Sequence, residues 1–368
     1  MKMNVSILGL GTAVPSHGTA QHDAARFAAL LSRYDEEQAK RVSILYRRSG
    51  VQRRQFAVLD IDPVGGEHPH DLQTLFQATS NDTDTHGPTT AERMACYAER
   101  AAPLAERAAQ EALADARLPS TAITHLVTVS CTGFAAPGVD VALIGRLGLS
   151  AHVERTHIGF MGCQGALNAL RVAASLARSS ADARVLLCAV ELCGLHLQYS
   201  VEPDAVVANS LFADGAAAAV LGAGDDGGRW CVSGHGSGLI PDSLDAMTWT
   251  IGNHGFTMTL SPQVPSYIEQ HLPPWIDTWL NRHDLTLGDV GSWAIHPGGA
   301  RIVSAVERAL RLDASAGRAA RSVLAEHGNM SSPTVLFVLK RLMDEGAQRP
   351  CVAIAFGPGL SVEAALLT

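Results

Sequence analysis

The sequence predicts an α/β protein built from two diverged copies of one unit. Two observations carry this. Short apolar runs with strand character alternate with longer alanine- and leucine-rich helical stretches, the pattern of layered α/β packing. A set of short motifs also recurs in the same order in each half: a strand ending in a polar turn, a glycine-flanked helix start, and a closing pair of small-residue strands. The 368 residues, 47% hydrophobic and 17% charged, are enough for two core-forming halves.

In order along the chain, the predicted strands of the first half are Val5–Leu10, His125–Ser130, Val185–Val190 and Ala216–Leu221. Those of the second are Trp230–Gly234, Ser292–His296, Val352–Phe356 and Ser361–Leu367. The glycine- and aspartate-rich turn from Gly222 to Gly228 divides the halves, as residues 1–224 and 225–368. In the first half a strand ends in Cys131-Thr132-Gly133, and Gly162-Cys163-Gln164-Gly165 later opens a helix. In the second, His296-Pro297-Gly298-Gly299 and Gly328-Asn329-Met330-Ser331-Ser332 stand in the matching places. A duplicated unit sets the two helix starts face to face, so Cys163 and Asn329 approach one centre. From Ala166 to Arg178 the polar residues Asn168, Arg171, Ser175 and Arg178 form one narrow stripe on an otherwise apolar helix. Such a helix belongs in the interior, with its N-terminus opening into the protein body. Pro333 fits an early-turn position of the helix after Asn329, where its missing N–H does no harm.

Composition removes several classes of function. Disorder needs low hydrophobicity and high charge, and this chain has the reverse. A formal net charge of -8 opposes general nucleic-acid binding. No uninterrupted apolar stretch reaches the roughly 20 residues of a membrane span, and no signal peptide is visible. Seven cysteines without paired metal-ligand spacing fit free thiols in a reducing cytoplasm.

Cys163 is the sharpest chemical candidate. Between glycines at a helix start, the exposed N–H groups and the helix dipole favour a thiolate. Taken alone, it reads better as a small residue at a tight helix entry. His296 is expected at a strand end beside open backbone, where its imidazole could pair with a thiolate and donate to a thioester carbonyl. A turn-capping histidine is an equally good reading in isolation. Asn329 reads as an N-cap whose amide could donate to the same carbonyl.

Other signals are weaker. Gly9-Leu10-Gly11-Thr12-Ala13 lacks the third glycine and following helix of a dinucleotide loop, so no nicotinamide site is expected. His68, His70 and His86, in a polar loop from Asp60 to Pro88, have no regular ligand spacing, and no metal is expected. The arginines at 47, 48, 53 and 54 read as a solvated face or as holders of an anionic group such as the phosphates of coenzyme A.

Cys163, His296 and Asn329 together change the balance. The chain resembles the type III polyketide synthases, the chalcone synthase-like family of the thiolase superfamily, from about Ile7 to Leu367. The marks are Gly162-Cys163, Phe212-Ala213-Asp214-Gly215-Ala216-Ala217-Ala218, Ile295-His296-Pro297-Gly298-Gly299, Gly328-Asn329-Met330-Ser331-Ser332 and Phe356-Gly357-Pro358-Gly359-Leu360.

The resemblance implies a five-layered αβαβα thiolase-like fold and a homodimer. It implies that Cys163 holds the starter and growing acyl chain. His296 and Asn329 then polarise the malonyl-CoA thioester and stabilise the enolate left by decarboxylation. Phe212 and Met258 fall on gatekeeper positions, and Gly357, Pro358 and Gly359 on a cavity-wall loop. Thr132, Ser331, His196 and Trp249 complete the substrate-binding set, while Arg48, Arg41 and Arg301 match coenzyme A contacts. The substrates are acyl-CoA and malonyl-CoA, with no further cofactor, acyl carrier protein, nucleic-acid or membrane partner.

Departures from plant members bear on the product. Met258 replaces a phenylalanine, Ala136 a methionine that reaches the partner's cavity, His196 a threonine, Trp249 a glycine and Ile44 an arginine. This pattern looks bacterial, a branch that often makes alkylpyrones or alkylresorcinols, and the bulk of Trp249 and His196 favours a triketide α-pyrone. The alternatives are a single-condensation β-ketoacyl or hydroxymethylglutaryl-CoA synthase, and a thiolase-fold subunit without catalysis.

Overall fold

A computed structural model describes residues 4–58, 75–76, 86–224 and 230–368. The first half runs β1 (Val5–Ala13), β2 (Gly18–Ala20), α1 (Gln21–Leu31), α2 (Glu36–Arg48), β3 (Arg53–Gln55), α3 (Thr90–Ala116), β4 (His125–Ser130), α4 (Val139–Leu147), β5 (Glu154–Gly159), α5 (Gly165–Ala177), β6 (Arg184–Leu192), α6 (Pro203–Leu211) and β7 (Asp214–Ala223). The second runs β8 (Val232–Leu239), β9 (Met247–Gly252), β10 (Gly255–Leu260), α7 (Val264–Asn281), β11 (Ser292–Ile295), α8 (Ala300–Leu310), α9 (Arg318–His327), α10 (Thr334–Asp344), β12 (Cys351–Gly357) and β13 (Ser361–Leu367).

The duplication is legible in the sheets. The first has the order β1-β7-β6-β4-β5 and the second β8-β13-β12-β11. Within each half the first strand runs antiparallel to the last, the last antiparallel to the one before it, and the inner pair is parallel. Among the described strands of these two sheets, β5 alone has no counterpart; α9 occupies its place in the chain order. Helices α5 and α10 touch both sheets, α3 covers the outer face of the first, and α7 and α8 pack together against the second. The layers are therefore αβαβα. Every residue of α5 from Gly165 to Leu170 is buried, as its single polar stripe requires.

Glycines in the first strand of each half let the outer helix approach. A Cβ on Gly9 or Gly11 would strike the α3 backbone at Ala112 or Ala108. Those two glycines, which superficially suggest a dinucleotide loop, thus answer to helix–sheet packing. In β8, Gly234, Gly236 and Gly238 receive His283, Trp279 and Trp275; the two indoles stack along α7 and His283, just beyond its end, meets Trp279 edge-on.

All eight predicted strands are present, most of them longer than predicted. The sequence reading missed β5, the short β2–β3 pair and the β9–β10 hairpin. Strand β5, Glu-Arg-Thr-His-Ile-Gly, is an exposed sheet edge and so lacks apolar alternation. Pro333 lies at the N-cap of α10, one residue before the first turn. His68, His70 and most of the 60–88 loop lie outside the described residues, as do residues 225–228 of the dividing turn. The His86 ring lies tilted against that of His254, with ring centroids 5.1 Å apart. Among the described residues, no cluster of three or more His, Cys, Asp or Glu could hold a metal, and no helix is long and apolar enough to cross a membrane.

Candidate active site

Cys163 sits in a single 3-10 turn, Gly162–Gln164, ahead of α5 rather than in its first turn. Gly162 adopts φ +76°, and a Cβ there would collide with Pro358. Gln164 Nε2 donates to Ser361 Oγ at 2.7 Å, so the 357–361 loop is bound directly to the cysteine turn. Across from it, β11 ends and delivers His296, whose backbone N–H donates to Ile354 O at 2.8 Å. Asn329 follows Gly328, which has φ +73°. Its Oδ1 accepts from Ser331 N at 2.8 Å, which caps a local turn and not a helix. Its Nδ2 reaches Gly298 O only at a long 3.4 Å and remains available as a donor.

These three side chains line one cavity of about 40 Å³ together with Phe212, Met258 and Phe356. The two helix starts thus do meet at a common centre. A cavity of about 20 Å³ lies against it, where Thr132, Ser331, Trp249 and Pro358 surround Cys163. On the outer side, Leu211, Leu260, Gly298 and Ile302 border a larger cavity of about 520 Å³, whose wall carries Arg48 and Arg301. On the far inner side lies a fourth cavity, about 270 Å³, lined by Phe27, Phe56, His196, Leu197 and Ala208 among others. Phe212 and Met258 border all three inner spaces.

Three expected site residues do not line these cavities. Arg41 lies on α2 two turns before Arg48, about 10 Å along the axis, where it pairs with Glu37 in solvent. Gly357 lies beneath the wall, packed on Met161 and Gln164. Gly359 forms the turn beyond Pro358 with φ +74°.

Electrostatics correct the expectation of a helix-stabilised thiolate. Burial pushes the Cys163 thiol up to about 11; the Ser331 and Asn329 side chains beside it pull the other way without reversing this. Burial likewise pushes His296 down to about 3, and neither ring nitrogen has a hydrogen-bond partner among the described residues. A low-dielectric pocket disfavours both charged forms, and the helix start favours only the anion. Burial thus weighs against a thiolate–imidazolium pair, and an uncharged imidazole nitrogen in the same cavity can take the thiol proton.

The wall is locked by hydrogen bonds. Trp249 Nε1 donates to Cys131 O at 2.8 Å. His196 donates from Nε2 to Thr132 O at 2.7 Å and accepts from Phe256 N at Nδ1 at 3.0 Å, which defines its neutral tautomer. Its ring stacks on Phe256 and meets Trp249 edge-on.

Sequence reasoning missed Glu191. Its Oε2 accepts from Cys131 N at 2.8 Å, Thr132 Oγ1 at 2.7 Å and Ser130 Oγ at 3.3 Å, and its Oε1 from Ser332 Oγ at 2.6 Å. It joins the cysteine-threonine turn of one half to the asparagine loop of the other, and burial pushes its carboxyl up to about 7. The signal was a lone acid inside the apolar run Val-Leu-Leu-Cys-Ala-Val-Glu-Leu.

Comparison with known proteins agrees with this geometry. The N-terminal domain of the chalcone and stilbene synthases matches residues 2–225, and their C-terminal domain matches 235–368. The alpha-pyrone synthesis polyketide synthase-like Pks18 of Mycobacterium tuberculosis is 34% identical over 98% of this chain and 90% of that protein. The crystal structure of PKS-I from the brown alga Ectocarpus siliculosus superposes with a TM-score of 0.92 at 32% identity, covering 100% of this chain and 98% of that one. A type III pentaketide synthase from Neurospora crassa gives 0.84 at 31% identity, with 99% of both chains covered.

Proposed function

The chain belongs to the chalcone and stilbene synthase family and is a type III polyketide synthase, and from that premise we propose which residues carry the iterative condensation of malonyl-CoA and what it makes. The observation that supports the assignment is the one small cavity bordered by Cys163, His296 and Asn329. An acyl-CoA starter enters past Arg48 and Arg301. His296 accepts the Cys163 proton as Sγ attacks the thioester, then returns it to the departing coenzyme A thiolate, leaving the acyl group on sulfur. With malonyl-CoA bound, His296 and Asn329 Nδ2 donate to the thioester carbonyl. Loss of CO₂ then leaves an enolate they stabilise. The enolate carbon attacks the Cys163 thioester and expels the thiolate, and the extended chain reloads. Phe212 and Met258 act as gatekeepers, with Pro358, Thr132, Ser331, His196 and Trp249 as cavity wall.

The starter is an alkyl acyl-CoA whose tail occupies the apolar 270 Å³ space, and the product is a triketide α-pyrone. The small volume beside Cys163, closed by Trp249, favours early lactonisation: the enol oxygen attacks the thioester carbonyl, the C–S bond breaks, and the enol proton passes to the departing thiolate. The protein works in the cytoplasm, with coenzyme A thioesters as substrates and no further cofactor, and its two units divide near residue 224. It works as a homodimer through β5, whose outer edge is open and whose neighbour Phe134 is 46% exposed against Phe160.

The test is product analysis by mass spectrometry with hexanoyl- to lauroyl-CoA and labelled malonyl-CoA. Triketide pyrones support the reading. A β-ketoacyl-CoA as sole product would assign a single-condensation enzyme, and no product with any starter would point to a non-catalytic subunit.

A further inference from the structure

Among the described residues two arginines lie wholly inside the protein, and each ties two or more backbone carbonyls; Arg54 also has the Tyr46 side chain and the Asp214 carboxyl beside it. Arg54, 2% exposed, donates from Nη1 to Asn209 O and Phe212 O, each at 2.7 Å, and its guanidinium lies over Tyr46 and Phe56. Arg93, 0% exposed, donates from Nη1 to Leu195 O at 2.6 Å and Leu197 O at 2.8 Å, from Nε to Pro88 O at 2.8 Å, and lies over Phe76. The two acceptors of Nη1 in Arg93 flank His196. Those of Arg54 end α6 and include the carbonyl of Phe212 itself.

We propose that Arg54 and Arg93 are positioning residues that set product length and starter choice by fixing the backbone at Phe212 and His196, the walls between the reaction cavity and the inner cavity. This rests on the reading of those spaces given under Proposed function.

Stability alone does not account for them. A buried cation loses its hydration, and its hydrogen bonds must offset that loss before it adds any net stability. Among the described residues each guanidinium even leaves a buried nitrogen unmatched, Nε in Arg54 and Nη2 in Arg93. What an apolar chain cannot do is tie two carbonyls at once through one rigid planar group. The segments so tied carry side chains that touch one another through shared neighbours. Phe212 and His196 both pack on Trp249, at 6.4 and 5.4 Å between ring centroids. Phe212 is also paired by backbone bridge to Asn329. Released from Arg93, the 195–197 segment gains freedom to move His196 off Thr132 and Phe256. Released from Arg54, Phe212 no longer has a fixed carbonyl to swing from.

The test uses Arg54→Met and Arg93→Met, each beside its Lys counterpart. One readout is the ratio of triketide to longer ketide from a single starter. The other is hydrogen exchange in residues 193–200 and 209–214. A merely structural loss lowers all products in proportion and leaves the ratio unchanged. The positioning role predicts at least a threefold change of ratio in each Met variant, partly restored by Lys, with faster exchange confined to the segment that arginine holds. Where a Met variant does not fold, the Lys variant decides by the same two measurements. Unchanged ratio and exchange in the folded variants would overturn the proposal. If the wild type makes no ketide, the functional reading fails on its own, and unchanged exchange still refutes the clamp.

Discussion

The backbone of Asn329 brackets that of Phe212. Asn329 N donates to Leu211 O at 2.8 Å and Ala213 N donates to Asn329 O at 2.9 Å, a parallel bridge outside any sheet. The residue assigned to enolate stabilisation and the residue assigned to gating thus move as one piece, although they come from different halves.

Cys163→Ala should abolish ketide formation and leave the fold intact, since it removes one sulfur from an already small cavity. Malonyl-CoA decarboxylation through His296 and Asn329 should persist at a measurable rate. Product formation and CO₂ release, followed in parallel, check this; normal ketide yield would remove Cys163 from the mechanism.

Asn329→Asp is the cleanest probe of the donor. The carboxylate still accepts from Ser331 N and keeps the turn, yet it has no N–H to offer. Decarboxylation should fall about 10²–10³-fold, the usual effect of one lost oxyanion donor. His296→Ala should fall by a similar factor. A wild-type rate in either would make that residue structural.

The alkylation of Cys163 should depend steeply on pH. Its thiol is held up near 11, so the thiolate fraction grows about tenfold per pH unit from 7 to 10. His296, held near 3, contributes no imidazolium across that range. The iodoacetamide rate, read by peptide mass spectrometry, should climb throughout. A plateau below pH 8 would mean that an ion pair with His296 outweighs burial.

Trp249→Gly should join the 20 and 270 Å³ spaces and lengthen the ketide or widen starter acceptance. It also deletes the bond to Cys131 O and a half-buried indole, destabilising the protein by about 2 kcal/mol, less than the 3–5 of a fully buried aromatic. Mass spectrometry of products from one starter, wild type beside variant, measures the first effect and thermal denaturation the second. An unchanged product set from a folded variant would show that the indole does not limit the chain.

The duplicated architecture and the Cys163, His296 and Asn329 cluster were legible because each rests on a local pattern: apolar runs, glycine-flanked turns, and motifs in repeated order. What was not legible depends on partners distant in sequence. Glu191 looks like a blemish in an apolar strand until Cys131, Thr132 and Ser332 converge on it. Arg54 belongs to a basic run that reads as a solvated face, yet its neighbour Arg53 is exposed and Arg54 is not. Burial works against the expected thiolate, and a helix start is visible in sequence whereas the depth at which the fold buries it is not.

The five glycines of β1 and β8 affect how mutational data on this protein are to be interpreted. At Gly9, Gly11, Gly234, Gly236 and Gly238 even a methyl group collides with a neighbouring helix or ring, in the layers outside the two sheets. A saturation library scored only by product would mark these positions as intolerant as Cys163. Loss of activity would then map a ring of false active-site positions along the outer helices. Scoring soluble yield alongside turnover separates the two sets, because the glycine variants lose both and the cysteine variants only one.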